Sequence, residues 1–445
     1  MAEIDKTDAA GQSDGATRRY SWFVLGILTL AQTCHGIDRA IIGLVLEPMG
    51  REFGLTDGQL GILAGFAYGI FFALAALPFG VAVDRFNRRN IMTAALTVWS
   101  AATAVCGLAV GYWSLFVGRA VVGMAEAAGS PTGMSILSDY FDRNRRATAI
   151  GIWYLSSGVG LALAFVVGGA IVEAWGWRWA FIAAGIPGLL LAPILLITVR
   201  EPVRGNLDDA PIGPANQDAA DMPLFHRMRK LLSRPGLAHC ILAIILIATG
   251  IYGMSTWLTT FLIRVHDLPI GRAGLTIAIA YGVLGSLGGF AAGAAADWLN
   301  RRRGGFEPDR TALFGATIPF ATAVAGLGTV ILTDFDLVLI ALMVCGFFSA
   351  SYNGPIYSVI VHQAGPRLRG LAVSLVQLGA NLIGVGAGAY LIGAVSEAIG
   401  GTTGVAWGIG FAMIFVVWGG VHLLLAARSI RQAGEIEPHH RAVPA

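Results

Sequence analysis

A ten-residue motif occurs twice in this chain, 213 residues apart. Residues 80–89 read GVAVDRFNRR and residues 293–302 read GAAADWLNRR. The same offset relates three further pairs: Arg51 with Arg264, Gly61 with Gly274, and Tyr68 with Tyr281. One register kept over this stretch indicates an internal duplication. In a chain this apolar, the duplication predicts a membrane transporter built from two homologous halves.

The composition excludes a water-soluble enzyme. Of the 445 residues, 56% are hydrophobic and 13% are charged, whereas a soluble domain carries roughly 25% charged residues. The sequence shows no phosphate-binding glycine loop with a lysine and no legible pair of nucleophile and base. Its four cysteines stand singly, without metal-ligand spacing. We therefore predict a non-enzyme without cofactor or metal, and the net charge of +3 does not indicate nucleic-acid binding.

Twelve apolar runs are long enough to cross a bilayer, which takes about 20 helical residues. They lie at 21–46, 58–83, 90–110, 113–138, 145–173, 178–199, 237–264, 271–298, 310–332, 335–362, 367–396 and 402–428. The predicted fold is an all-α membrane protein with twelve transmembrane helices in two pseudo-symmetric six-helix bundles. The predicted parts are a tail (1–20), a first bundle (21–199), a linker (200–236), a second bundle (237–428) and a tail (429–445). The linker is expected to contain a short amphipathic helix near His226–Leu232.

Positive charge is distributed unequally between the two sides of this arrangement. The side with the termini and the loops after even-numbered helices holds 24 of the 30 Lys and Arg, and the other side holds four. Basic residues concentrate in cytoplasmic loops, so both termini are predicted to be cytoplasmic. The sequence contains no Asn-X-Ser/Thr acceptor, which favours a bacterial inner membrane over a glycosylating compartment.

The two copies of the motif resemble the signature loops of the major facilitator superfamily. The first half resembles the Spinster group, on three segments: Gly36-Ile-Asp38-Arg39, GRAVVGMAEA at 118–127 and REPVRG at 200–205. Animal Spinster proteins export sphingosine phosphate or lysophospholipids. The resemblance therefore implies a proton-linked transporter whose partners are an amphipathic lipid, protons and the bilayer. Twelve helices can enclose one site, so we expect a monomer.

Four ionisable residues fall near the middle of predicted helices: Asp38, Arg39, Arg119 and Glu126. Such residues are costly in a membrane and are functional candidates by default. Burial makes a carboxyl hold its proton and a nearby Arg makes it release the proton, so a switchable pair can couple protons to movement. We predict Asp38 and Glu126 as proton sites with Arg119 as partner; the alternative is a static ion pair. His35, one turn before Asp38, is more simply interpreted as a packing residue.

The second half lacks these charges and offers polar groups among apolar ones. Predicted substrate contacts are Arg39, Arg119, Tyr252, Trp257, Asn353, Tyr357, Gln377 and Asn381. A few polar groups in an apolar, aromatic lining suit an amphiphile, although ordinary hydrogen bonding between helices is an alternative. Because Arg39 and Arg119 could also hold a carboxylate, a transporter of small organic anions or drugs stays open, as does a non-transporting receptor or scaffold.

The repeated motifs predict a cytoplasmic latch that closes when the central cavity opens outward. Its predicted members are Gly80, Asp84, Arg85, Arg88, Arg89, Asp139, Gly293, Asp297, Arg301 and Arg302. The aspartates could accept from helix N-terminal amides, and Arg88 and Arg89 could reach acids such as Asp139. Trp298 replaces the Arg expected after Asp297. Alternatively, the arginines only enforce topology.

Overall fold

The structure, a computed structural model, describes residues 4–204, 224–302 and 305–441. Its described residues form helices and short connections without a strand. Within those ranges, nine helices are long and apolar enough to cross a membrane. Three further helices, at residues 4–53, 88–106 and 112–140, complete the twelve crossings, which we number α1 to α12. The predicted fold class is confirmed.

The first half contains six crossings. They are α1 Ile4–Phe53, α2 Asp57–Ala64 continued by Phe66–Arg85, α3 Arg88–Cys106, α4 Tyr112–Glu126 continued by Gly129–Tyr140, α5 Arg143–Trp175 and α6 Trp177–Thr198. Helix α2 begins with a capping box, in which Thr56 accepts from the Gln59 amide and Gln59 accepts from the Thr56 amide. It is interrupted at Gly65, where a side chain would collide with the Gly386 carbonyl of the second half.

A linker helix and six further crossings follow. The linker helix is Leu224–Leu232; the crossings are α7 Leu237–His266, α8 Ile270–Arg302, α9 Pro308–Ile331, α10 Phe335–Gly365, α11 Leu368–Ile399 and α12 Gly404–Arg441. Helices α8 and α11 each contain a π-helical segment, Ala278–Leu284 and Ala380–Val385. The predicted short helix near His226–Leu232 is confirmed.

Helices α1 and α12 extend beyond the predicted spans. Helix α1 begins at Ile4 rather than near residue 21, and α12 continues to Arg441 rather than ending near 428. Residues 429–433 contain neither Gly nor Pro, so nothing local ends the helix where the apolar run ends. Residues 205–223 of the predicted linker, 1–3 of the first tail and 442–445 of the last lie outside the described residues.

The duplication is visible in the packing as well as in the sequence. A side chain at Gly123 would collide with the Tyr68 carbonyl, where α4 crosses α2. A side chain at Gly346 would collide with the Ala280 carbonyl, where α10 crosses α8. Both halves therefore need a glycine at the same crossing, because only a bare Cα lets the backbones approach this closely.

The halves contact each other at one end of the bundle. We call the end with Asp84, Arg88 and the linker helix the basic end, and the other the opposite end. Between the middle and the opposite end, Gly43 lies against Thr256, Gly61 against Ala389 and Gly274 against Phe165. Toward the basic end these contacts stop near Gly69, which lies against Asn381, and Gly158, which lies against Ser286. The cleft is thus closed at the opposite end and opens toward the basic end.

Candidate functional site

Asp38 is a fully buried carboxyl without a hydrogen bond of standard geometry, although the Thr103 hydroxyl interacts with it. It lies on α1 at 0% exposure, and neither carboxyl oxygen makes such a hydrogen bond. Arg119 on α4 is 2% exposed, and its Nε and Nη1 are likewise buried without a partner. Asp38 interacts electrostatically with Arg119 and Glu126. A carboxyl and a guanidinium that are buried away from water without hydrogen bonds lower the stability of the fold. Such a loss of stability is typical of a functional site.

Glu126 is the best-satisfied carboxylate of this cluster. Its Oε2 accepts from the Tyr68 hydroxyl at 2.7 Å and lies 3.1 Å from His35 Nε2. Its Oε1 is buried without a partner. Within the described residues, Arg119 forms no ion pair with any carboxylate; its guanidinium carbon lies 5.4 Å from the centre of the Tyr68 ring. The static ion pair considered from the sequence is therefore not formed in this conformation.

Arg39 joins the two halves at the inner end of the cleft. Its guanidinium carbon lies 5.4 Å from the Tyr68 ring centre in the first half and 5.6 Å from that of Tyr252 in the second. Its Nη2 donates to Asn381 Oδ1 at 3.2 Å. Tyr252 is 41% exposed, so this group borders the open part of the cleft.

Three residues of the acidic cluster were not predicted to take part: Gln32, His35 and Tyr68. Two of them could have been found from the sequence, since His35 lies one helical turn before Asp38 and Tyr68 belongs to the duplicated register. Tyr281, the duplicate of Tyr68, lies 3.6 Å from Cys345 Sγ instead of from a carboxylate. The duplication therefore kept the aromatic contact and charged only the first half.

The other predicted substrate contacts divide into two groups. Trp257 is fully buried and donates to the Ala389 carbonyl at 2.8 Å, so it packs α7 against α11 and does not face the cleft. Asn353 donates to the Ala350 carbonyl of its own helix at 3.3 Å. By contrast, Tyr357 and Gln377 are partly exposed, and Tyr357 is close enough to Tyr252 and Tyr154 to interact electrostatically.

A charged network closes the opposite end, and the sequence did not predict it. Arg264 on α7 donates to both oxygens of Asp57 at 2.7 and 2.8 Å and to Glu47 at 2.6 Å. Ser396 on α11 also donates to Asp57, at 2.6 Å. We call Glu47, Asp57, Arg264 and Ser396 the opposite-end gate. It joins α1 and α2 of the first half to α7 and α11 of the second.

A second group at the opposite end belongs to the first half alone. Glu52 accepts from Trp177 Nε1 at 2.6 Å and from Arg178, which also donates to the Ala109 carbonyl at 2.9 Å. The hydrogen bond from Trp177, followed by those from Arg178, holds the pKa of Glu52 below its usual value. This contact fixes the end of α1 against the start of α6.

Arg88 organises the basic end of the first half. It is 1% exposed, and it donates to Asp139 at 2.5 Å, to Glu201 at 2.7 Å and to Ser135 Oγ at 2.9 Å. Glu201 also accepts from the backbone amide of Arg89, at the N-terminus of α3, where a carboxylate is stabilised. The predicted contact between Arg88 and Asp139 is present, but it lies within one half.

The remaining members of the predicted latch do not join the halves in this conformation. Asp84 and Asp297 are exposed, and no side-chain partner is described for either. Arg204 donates to the Asp84, Val83 and Phe86 carbonyls at 2.6 to 2.8 Å and so caps the end of α2. Arg302 lies 4.0 Å from the Trp298 ring centre. The same is true of four further members, for which no side-chain contact between the halves is described: Gly80, Arg85, Gly293 and Arg301.

Replacing Arg88 is expected to destabilise the protein far more than replacing its neighbour. Arg88→Ala removes the buried guanidinium that Asp139, Glu201 and Ser135 share, and we expect the loss of these ion pairs and hydrogen bonds to cost about 2–3 kcal/mol. Arg89→Ala is the matched control, because the Arg89 side chain bonds only to exposed Asn90. Thermal unfolding of both variants in detergent measures the difference. Equal melting temperatures would contradict the network described here.

A family model described as the Major Facilitator Superfamily matches residues 28–385. The chain belongs to this superfamily. It is accordingly a membrane transporter and not an enzyme, and its two halves are those of the superfamily fold.

Several relatives of this transporter have stated substrates or functions. It is 25% identical to an MFS-type efflux pump of Mycolicibacterium smegmatis, over 92% of each chain. It is 25% identical to the sphingosine-1-phosphate transporter SPNS2 of Danio rerio, over 90% of this chain and 83% of that one. It is 26% identical to a D-galactonate transporter of Escherichia coli, over 94% and 96% respectively.

A solved structure supports the Spinster resemblance. The crystal structure of a bacterial homolog to the human lysosomal transporter Spinster, in an inward-facing and unoccupied conformation, is similar with a TM-score of 0.81. The sequences are 25% identical over 93% of this chain and 98% of that one. The resemblance inferred from the helix 1, helix 4 and post-helix 6 motifs is thereby confirmed.

Proposed function

We propose that this transporter couples proton movement to the transport of amphipathic lipids of the lysophospholipid or sphingoid-phosphate type, by alternating access. The observation that supports proton coupling is Asp38, a fully buried carboxyl whose oxygens make no hydrogen bond of standard geometry. An ionised carboxylate in such a place would cost several kcal/mol, whereas a neutral acid costs much less. We therefore assign a proton to Asp38 in this conformation.

The contacts of Arg39 supply a means of releasing that proton. In this conformation Arg39 is held between Tyr68 and Tyr252 and by Asn381. Opening the opposite end separates α1 from α7 and α11, and so removes Tyr252 and Asn381 from Arg39. The freed guanidinium, together with the unsatisfied Arg119, would then favour an ionised Asp38. The proton would leave toward the opposite end, which is the alternation that coupling requires.

The lining of the cleft supports an amphipathic substrate. The partly exposed guanidinium of Arg39 is suited to an anionic headgroup, and Tyr154, Tyr252 and Tyr357 provide aromatic surface for an apolar part. Gln377, Asn381 and Arg119 complete the polar contacts that we assign to the headgroup, while Trp257 and Asn353 support the helices. The similarity to SPNS2, whose name states sphingosine 1-phosphate, favours the same substrate class.

A second candidate is the transport of small organic anions or drugs. The Arg39 guanidinium could donate hydrogen bonds to a carboxylate as well as to a phosphate. The similarities to a D-galactonate transporter and to an efflux pump favour this alternative. A small polar substrate would not use the exposed aromatic surface, which is why we place it second.

We also propose a monomer in a bacterial inner membrane, with the basic end and both termini in the cytoplasm. The excess of Lys and Arg at the basic end supports this orientation. The similar bacterial structure is described as inward-facing, which agrees with a cleft open at the basic end here. In this orientation Asp84, Asp297 and their arginines would meet across the cleft only when the cytoplasmic end closes.

Transport by purified protein in proteoliposomes tests the proposal. We expect movement of a fluorescent lysophospholipid that depends on an imposed pH gradient, and no movement of galactonate. Arg39→Gln should lower lipid transport at least about tenfold, since it removes a charge-assisted contact to the headgroup. Gradient-dependent movement of galactonate without lipid movement would select the second candidate. No gradient dependence for either substrate would reject proton coupling.

A further inference from the structure

We propose that His35 is a positioning residue that holds Glu126 ionised while the cleft is open to the basic end, with Gln32 and Ser157 fixing the proton of its imidazole on Nε2. This inference rests on the proposed proton coupling and adds a residue to it. Glu126 and Asp38 would then differ in charge because their surroundings differ, one carboxyl having two donors and the other none.

The arrangement around the imidazole selects one tautomer. His35 Nε2 lies 3.1 Å from Glu126 Oε2, so a proton on Nε2 is donated to the carboxylate. On the other side, Gln32 Nε2 lies 3.4 Å from His35 Nδ1. The same amide nitrogen donates to Ser157 Oγ on α5 at 2.7 Å, so in this structure it faces both Ser157 and His35 Nδ1. An amide N–H facing Nδ1 requires an unprotonated Nδ1.

The remaining neighbours do not supply another partner for the ring. Trp99 on α3 meets it edge-on, with ring centres 6.2 Å apart. The ionisable groups of the cluster are Glu126 and Arg119 on α4 and Asp38 and Arg39 on α1; Tyr68 on α2 donates to the same Glu126 oxygen. His35 is 8% exposed, so water does not compete strongly for either nitrogen. The neutral ring therefore serves Glu126 alone.

This arrangement has a functional consequence for the order of protonation. Two donors to one oxygen stabilise the charged form of Glu126, so the first proton taken from the basic end goes to Asp38. Protonation of His35 would add a positive charge to those of Arg39 and Arg119. It would also need the Gln32 amide to turn its oxygen toward Nδ1. Gln32 thereby opposes a second stored proton in this conformation.

Infrared titration of the purified full-length protein in lipid nanodiscs tests the role of His35 without any substrate. The protonated carboxyl band of Glu126 is assigned by its loss in Glu126→Gln. His35→Leu, which removes a donor, should raise the pH midpoint of that band by about one unit or more. His35→Gln, whose amide can donate to Glu126, should restore a midpoint close to that of the wild type. An unchanged midpoint in His35→Leu, or equal shifts in both variants, would overturn the proposal.

Nitrogen NMR of histidine-labelled protein tests the tautomer, with the His35 signal assigned from His35→Gln. We expect a neutral ring protonated on Nε2 in the wild type, and a mixture of the Nδ1 and Nε2 tautomers in Gln32→Leu, which removes the amide that faces Nδ1. A wild-type ring protonated on Nδ1, or charged at pH 7, would overturn the assignment. Both readouts are independent of transport, so failure of proton coupling in proteoliposomes is distinguished from failure of this inference.

Discussion

Asp38→Asn and Glu126→Gln are each expected to abolish the response of transport to a pH gradient. Asparagine and glutamine keep the shape of the replaced side chains, but their amides neither bind nor release a proton under the conditions of a transport assay. Asp38→Asn should leave a folded protein, because the buried carboxyl makes no hydrogen bond that the change would break. Facilitated movement down a substrate gradient should persist in this variant. We expect the rate of transport driven by the pH gradient to fall at least about a hundredfold below that of the wild type. This decrease corresponds to roughly 3 kcal/mol of lost coupling free energy.

The matched control for this pair is Asp336→Asn. Asp336 is an exposed acid in the first turn of α10, and no side-chain partner is described for it. Its variant should respond to the gradient as the wild type does. If transport by Asp38→Asn and by Glu126→Gln responds to the pH gradient as strongly as transport by Asp336→Asn does, the two carboxyls are structural. Proton coupling must then depend on other residues.

Arg264→Gln is expected to shift the protein toward the conformation that is open at the opposite end. Arg264 neutralises Glu47 and Asp57, whose side chains are only 7% and 13% exposed. Removing one partner of a buried ion pair typically costs 3–5 kcal/mol, because the other charge is left uncompensated. These acids are partly solvated and Glu47 keeps its contact with Arg51 at 2.8 Å, so we expect a cost at the lower end, about 3 kcal/mol, and a population change of roughly a hundredfold. Opening would hydrate both carboxylates.

Distances between spin labels at the opposite end measure this shift. Val110 in the first half is 88% exposed, and Thr402 in the second half is also exposed. Each position can therefore carry a spin label without disturbing the core. Arg272→Gln serves as the control, since Arg272 is an exposed basic residue of the same end without a described partner. A distance distribution that is identical in Arg264→Gln and Arg272→Gln would show that the opposite-end gate does not hold this conformation.

The functional roles within the charged cluster could be predicted only in part. Asp38, Arg119 and Glu126 were identified because ionisable residues are rare inside apolar runs, and that rarity is visible in one dimension. The side chains that hold Glu126 were not predicted: they are Tyr68 and His35. The role of Arg119 as a partner that pairs and unpairs stays a prediction. Sequence separation does not determine which of several neighbouring helices brings its side chain to a buried acid.

The sequence by itself determined the membrane class, the twelve crossings, the two halves and the confinement of buried charge to the first half. These properties follow from hydrophobic length, charge distribution and the duplicated register, each of which is a property of the chain before it folds. The tertiary structure alone decided which end is closed, through Arg264, Glu47 and Asp57. It also gave Trp257 a packing role. The physical reason is that one sequence serves both conformations of a rocking transporter, and only contacts between halves distinguish them.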